Sequence, residues 1–361
     1  MEQFIKMGRR FDSDLSNMKF RTLKDKRTGI EIGAYFDKCF KNDRYELLFN
    51  TLTGFEALRG IKGHPDPFSL DMPSMIDCGI MGHCKNRCDF CYQGDNQEPN
   101  MKFEDFKRIV DECKHHTNQI ALGGRGDPNL HEDFEKIVEY ARSNNVVPNY
   151  TTSGINLTDK QIEISKLCGA VAVSDYGQDF TYNSLRRFID NGMKTNIHFI
   201  YSSVSHPLAV KILKGIDIWN GKGDLEKLNA IIFLLFKPQG RGKELLYWVP
   251  KISQIRQFSK LIKEPKCKFK VGLDSCMVNK VKKFAKFSPQ QEMSIDTCES
   301  GRMSVYITPD MRLVPCSFAN YKQHSVSLEY KSIEDAWNRS DPFIRCRELL
   351  KQHPDICPYE L

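Results

Sequence analysis

The run Cys84-Lys-Asn-Arg-Cys88-Asp-Phe-Cys91 places three thiols at spacings of four and three residues. Thiolates are the standard ligands of iron–sulfur clusters. Three of them on a four-iron cluster leave one iron open, and an open coordination position is what binding a cofactor or substrate requires, whereas structural metal sites tend to be closed. Cys78 lies just upstream and offers the alternative of a zinc knuckle made from Cys78, Cys84, Cys88 and Cys91. Zinc sites of that kind pair two Cys-x-x-Cys turns, which this spacing does not, so Cys78 is not assigned as a ligand. Five more cysteines, Cys276, Cys298, Cys316, Cys346 and Cys357, gather toward the C-terminus, while Cys39, Cys113, Cys168 and Cys267 stand singly among apolar or helical residues, where buried structural thiols are expected. The N-terminus lacks the apolar core of a secretion signal, which points to the cytoplasm. In that reducing compartment thirteen cysteines are better explained by metal or redox duty than by disulfides.

These side chains need elements to hold them. The chain has 361 residues, enough for one large domain with a smaller one or for a single elaborated domain. With 40% hydrophobic and 27% charged residues, it is neither disordered nor of low complexity. No stretch approaches the roughly 20 apolar residues that cross a bilayer, so no membrane partner is expected. The net charge of +7 favours an acidic partner. The lysines are dispersed, with local concentrations such as Lys280, Lys282, Lys283 and Lys286 but no long basic block, and nucleic acid is not expected.

Residues 1–72 read as short polar–apolar segments, such as 29–36 and 45–52, broken by turn signals, which predicts a small β-rich region. From residue 76 onward, strand-type runs at 76–80, 119–122, 147–151, 170–174, 195–201 and 230–236 alternate with helical patterns at 103–114, 132–144, 160–167 and 182–191. Strands separated by helices of this length imply parallel βαβ units, hence an α/β fold with a full or partial (β/α) barrel and its chemistry at the C-terminal ends of the strands. After residue 265 the pattern changes to cysteine-punctuated short strands and loops, then a helical stretch at 332–351. The expected divisions are 1–72, 73–264 and 265–361.

At these residues the sequence resembles the radical S-adenosylmethionine (SAM) superfamily, which carries three cysteines with this spacing after the first strand of a partial (β/α)6-type barrel. An aromatic residue precedes the last cysteine, here Phe90. The resemblance implies a 4Fe-4S cluster on Cys84, Cys88 and Cys91 whose open iron chelates the amino and carboxylate groups of SAM. It further implies reductive cleavage of SAM to a 5'-deoxyadenosyl radical that takes hydrogen from a substrate, with an external electron donor of the flavodoxin or ferredoxin type. The segment Gly123-Gly124-Arg125-Gly126-Asp127-Pro128 stands where the family carries a Gly-Gly-Glu-like motif whose backbone binds the SAM amino group. Glycines let main chain approach a ligand closely, but Arg125 replaces the acidic residue, so that carboxylate is not carried over. Thr152 and Ser153, in Thr151-Thr152-Ser153-Gly154, and Ser174 occupy places where the family offers hydroxyl or backbone contacts to SAM; the plainer reading is strand-end caps. Phe236-Lys237-Pro238-Gln239-Gly240-Arg241 looks like the family's Pro-x-Gly-Arg turn. There Arg241 is either a partner for a SAM or substrate carboxylate or a solvated loop residue.

The tail, through Asp274-Ser275-Cys276, Cys298-Glu299-Ser300-Gly301-Arg302 and Asp310-Met311-Arg312-Leu313-Val314-Pro315-Cys316, resembles the SPASM extension or its shorter twitch form. That implies one auxiliary iron–sulfur cluster of the 4Fe-4S type on Cys276, Cys298 and Cys316, with Cys357 or Cys346 as fourth ligand; zinc is the alternative metal. Met311 replaces the usual glycine, and the dense later run of cysteines is missing, which favours one auxiliary cluster over two. Enzymes with this extension most often modify ribosomally made peptides by crosslinking, thioether formation, epimerisation or oxidation. A peptide substrate is therefore expected, with a small-molecule substrate as the second reading and a structural zinc module as the third.

Overall fold

The computed structural model describes residues 18–24, 29–95, 97–216, 218, 227–295 and 297–359. Two compact units divide the chain after Phe68. In the first, β1 (Lys19–Lys24) pairs antiparallel with β2 (Glu31–Phe36), and β3 (Lys38–Lys41), β4 (Tyr45–Phe49) and β5 (Glu56–Gly60) form a three-stranded antiparallel sheet. Leu23, Phe36 and Leu48 make a small core. Cys39 departs from the expected burial and is exposed: alternate side chains of a strand face opposite ways, and Cys39 shares the outward face of β3 with Lys41.

The second unit is built on a ten-stranded sheet. Its centre is a parallel array of β6 (Met75–Met81), β7 (Gln119–Gly124), β8 (Val147–Thr152), β9 (Val171–Ser174), β10 (Thr195–Tyr201), β11 (Ala230–Leu235) and β12 (Lys270–Leu273). The crossovers carry helices α1 (Phe103–Cys113), α2 (Phe134–Ser143), α3 (Asp159–Ser165), α4 (Asp179–Asp190), α5 (His206–Leu213) and α6 (Ile252–Leu261). Local signals account for several of these boundaries. Thr158 and Gln161 close a capping box at the start of α3, satisfying N–H groups that have no partner inside the helix. In β10, Ile197, Phe199 and Tyr201 are buried, while Asn196, His198 and Ile200 between them are only partly so. The first set packs under helices and the second faces the concave side of the sheet. Ile76, Ile80, Phe106, Ile137, Phe188 and Phe233 are all but inaccessible, and each contributes about 1.5–3 kcal/mol of burial.

Seven parallel strands stand where the sequence pattern gave six. The added β12 is only four residues long, too short for a period of two to register, and it lies beyond residue 264. On the opposite edge β13 (Ser304–Ile307) pairs parallel with β6, followed by antiparallel β14 (Arg312–Val314) and β15 (Val326–Ser327). The cysteine-rich segment thus extends both edges of one continuous sheet, adding α7 (Ser275–Val281), α8 (Pro289–Glu292), α9 (Tyr321–His324), α10 (Ile333–Arg339) and α11 (Asp341–Gln352). The expected single helix at 332–351 is broken at Ser340 because Pro342 opens the second segment; proline lacks the N–H a continuous helix would need and crowds the preceding turn.

Candidate active site

The three-cysteine run lies on a loop that leaves β6 and returns at its base. The Glu98 N–H donates to the Gly82 carbonyl (2.9 Å) and the Met101 N–H to that of Ile80 (2.9 Å). Within the loop Arg87 adopts a left-handed backbone (φ 43°), a conformation that costs a non-glycine residue of order 1–3 kcal/mol and persists only where the surroundings impose it. Three neighbouring strand ends supply that constraint. From the β8 side, the Asn86 side-chain amide donates to the Ser153 hydroxyl (3.4 Å). From β7, Arg125 donates to the Gln93 carbonyl (2.5 Å) and pairs with Glu98 (3.7 Å). From β11, Arg241 donates its side chain to the Cys88 carbonyl (2.8 Å) and to Asp95 (2.9 Å), and its backbone N–H to the Cys91 carbonyl (2.9 Å).

The thiols of Cys84, Cys88 and Cys91 are all partly accessible. Cys84 and Cys91 line a narrow cleft together with Gly94, Arg125 and Arg241. Cys88 feels both other thiols; burial raises its pKa, and the Tyr176 hydroxyl 3.8 Å from its sulfur works against that rise. The Asn86 N–H donates to the Cys84 sulfur (3.4 Å). Cys78 takes no part: it is buried in the core against Met101 (3.8 Å), and apolar burial holds its thiol protonated, so the zinc-knuckle set lacks its fourth member. Phe90 sits between two rings, Tyr176 and Trp248, each stacked at 5.9 Å, which gives the thiols an apolar wall.

The glycines expected to admit a ligand divide in two. A side chain on Gly124 would strike the Met81 carbonyl at 2.3 Å, and one on Gly126 would strike that of His83 at 2.5 Å, so these two let β7 pack against the cysteine loop. Gly123 has nothing within 4 Å of where a Cβ would stand and leaves its side of the concavity open. The hydroxyls have partners inside the chain. Thr152 accepts from the Gly154 N–H (3.0 Å), Ser153 donates to Asp127, whose carboxylate also accepts the Ser153 N–H (2.7 Å), and Ser174 lies near the Tyr176 hydroxyl. Thr152 and Ser153 are each 1% exposed, and these bonds hold the strand end in shape. The concave face also carries two groups that the sequence pattern did not single out, Asp77 on β6 and His198 on β10. Burial pushes Asp77 up to about 6 and His198 down to about 4, and Thr151 lies 3.3 Å from the His198 ring.

The tail cysteines form a second constellation. Cys276, Cys298, Cys316 and Cys357 interact electrostatically in every pairing. Burial pushes the Cys276 thiol up to about 11, Cys298 to about 12 and Cys316 well above its ordinary value. Cys346 is buried beside Cys298 and Cys357, but its thiol is engaged by Ser300, donating to the carbonyl (3.4 Å) and lying 3.6 Å from the hydroxyl. His324 stacks edge-on against Tyr359 at 5.2 Å. Among the described residues, no three His, Cys, Asp or Glu side chains converge tightly enough to hold a metal ion as they stand, so loading either set requires the thiols to close in. In donor type and number the two sets suit iron–sulfur clusters, the first with three thiols and the second with four. An open cleft of about 380 Å³ is bordered by Tyr92, which follows Cys91, and by Ser317 and Phe318, which follow Cys316, together with Arg125, Gln239 and Lys322. Among the described residues, no helix is long and apolar enough to cross a membrane.

Comparison with known proteins finds a family match and neighbours of similar fold. Residues 79–199 match the radical SAM superfamily, a span that covers the cysteine loop and β7 through most of β10. A 110-residue stretch is 24% identical to the tungsten-containing aldehyde ferredoxin oxidoreductase cofactor-modifying protein of Pyrococcus furiosus; it covers 29% of each chain. Among solved structures, the fold resembles Streptococcus suis SuiB bound to S-adenosylmethionine (TM-score 0.61, 16% identity, 78% of this chain and 69% of that one) and SuiB bound to the precursor peptide SuiA (TM-score 0.59, 16%, 77% and 67%). It also resembles anSMEcpe with bound AdoMet and Cp18Cys peptide (TM-score 0.54, 13%, 76% and 82%).

Proposed function

We propose that this chain is a radical SAM enzyme that modifies a peptide. The carrying observation is the meeting, at the C-terminal edge of one parallel sheet, of three partly accessible thiols with the open concavity beside Gly123. When bound, the cluster on Cys84, Cys88 and Cys91 supplies the electron that cleaves SAM to methionine and a 5'-deoxyadenosyl radical, which takes a hydrogen atom from the substrate. The protein's own task is placement. Gly123 leaves room for SAM, Phe90 with Tyr176 and Trp248 keeps water from one side of the thiols, and Arg125 and Arg241 fix the loop to the strand ends. A flavodoxin- or ferredoxin-type protein delivers the electron, and Cys276, Cys298, Cys316 and Cys357 hold one auxiliary 4Fe-4S cluster in a SPASM- or twitch-like extension.

The peptide reading is supported by the open cleft bordered by the residues that follow Cys91 and Cys316 and by neighbours that bind the SuiA precursor and the Cp18Cys peptide. A small-molecule substrate is the second reading, favoured by the Pyrococcus relative, whose name describes cofactor modification. The test is anaerobic: reconstitute with iron and sulfide, reduce with dithionite, add SAM and measure 5'-deoxyadenosine by mass spectrometry, with the triple Cys84→Ala, Cys88→Ala, Cys91→Ala protein as control. Formation by the wild type alone supports the enzyme class, and a zinc-only protein that makes none rejects it. Mass shifts in added peptides then separate the two substrate readings.

A further inference from the structure

A single turn touches both cysteine sets. Residues 237–241 leave the C-terminal end of β11. At the far end of the turn, a side chain on Gly240 would lie 2.4 Å from the Tyr92 carbonyl and 2.6 Å from that of Cys91, and Arg241 grips the Cys88 and Cys91 carbonyls. At the near end, Lys237 is buried, at 8% exposure. Its ammonium lies 5.2 Å from the centre of the Phe318 ring, and it is near enough to the Cys276 thiol and the Asp274 carboxyl to favour the charged form of each. The Phe318 N–H in turn donates to the Cys316 sulfur (3.5 Å). A lysine so enclosed cannot swing its charge into solvent, and ring and carboxylate together hold it beside the Cys276 thiol, with Phe318 linking it to Cys316.

We infer that Lys237 is a positioning residue for the auxiliary cluster: its fixed positive charge beside Cys276 stabilises the cluster's reduced, more negative state and ties that cluster to the turn gripping the three-cysteine loop. The inference rests on the proposal that Cys276, Cys298, Cys316 and Cys357 hold a cluster. Charge, hydrogen bonds to the ligating sulfurs and exclusion of water set the potential of such a group, and a charge acts more strongly at short range away from water. The electron comes from the external donor.

The test is a redox titration of the reconstituted full chain followed by electron paramagnetic resonance, comparing wild type, Lys237→Met and Lys237→Arg. In Lys237→Met the auxiliary couple is expected to become at least tenfold harder to reduce, about 59 mV for one electron, while the couple of the three-cysteine cluster stays put. Lys237→Arg keeps the charge and should recover most of the shift. Should Lys237→Met load iron only at the three-cysteine loop, with its thermal midpoint intact and Lys237→Arg loading both, the positioning role is supported by occupancy instead. Two loaded clusters with an unmoved auxiliary couple in Lys237→Met overturn the inference alone. A wild type that binds one four-iron cluster and no second overturns the auxiliary-cluster proposal, and the inference falls with it.

Discussion

The two cysteine constellations use one ligand type in opposite settings. Cys84, Cys88 and Cys91 ride a loop at the strand tips, partly accessible and fixed mainly by hydrogen bonds to backbone carbonyls that reach in from neighbouring strand ends. Cys276, Cys298, Cys316 and Cys357 come from four separate segments, and burial drives the first three thiols far from ionisation. In the loop, the contacts shape a site that stays open on one side. In the tail, Cys276, Cys298 and Cys316 face one another where ionising them without a metal would be costly. The loop is held from behind through its backbone, whereas the proposed tail site would be held by its own ligands.

The largest separation between the sites should appear on removing thiols. Alanine at Cys84, Cys88 or Cys91 is expected to abolish 5'-deoxyadenosine formation. Alanine at Cys276, Cys298 or Cys316 should leave uncoupled SAM cleavage while blocking modified product, read in the same mass-spectrometric assay. Wild-type product from the tail variants would erase the distinction drawn here. Iron removal should also divide them: chelation is expected to lower the thermal midpoint by several degrees, since about 1 kcal/mol moves it 2–4 °C in a domain of 150–250 residues. The loss of hydrogen-exchange protection should centre on residues 298–318 and largely spare β6; a uniform loss would contradict the ligand-held tail.

A glycine pair sharpens the picture of the open site. Gly240 has φ +56° and no room for a methyl group against Tyr92, whereas Gly123 has open space around it. Gly240→Ala should cost about 1–3 kcal/mol and lower iron loading at the three-cysteine loop. Gly123→Ala should unfold like wild type yet bind SAM about tenfold or more weakly, as measured by calorimetry on the reconstituted protein; unchanged binding would remove Gly123 from the ligand's side of the sheet.

The smallest effect expected is electrostatic. The Asp77 carboxyl, raised by burial to about 6, binds its proton more tightly folded than unfolded. Its contribution is therefore fully present below about pH 4 and is lost as the pH rises through 6. Asp77→Asn, free of that loss, should gain on wild type by up to about 3 kcal/mol in unfolding free energy between pH 4 and 7. A difference that does not change with pH would place Asp77 in contact with water.

The three-cysteine loop, the glycines after β7 and the alternation of strands and helices are local, so residues 79–199 carried their own reading: the spacing in Cys84-x3-Cys88-x2-Cys91 and the periodicity of β10 need no knowledge of the rest of the chain. Tertiary structure alone decided which distant residues meet. It turned Arg241 toward the Cys88 carbonyl, brought Asp127 to the Ser153 hydroxyl at the end of β8, brought Cys357 near Cys276 and left Cys346 with Ser300, and placed β13 beside β6. The reason is physical. Periodicity and spacing report which way neighbouring side chains point along one element, whereas a hydrogen-bond partner more than a hundred residues away is chosen by how whole elements pack.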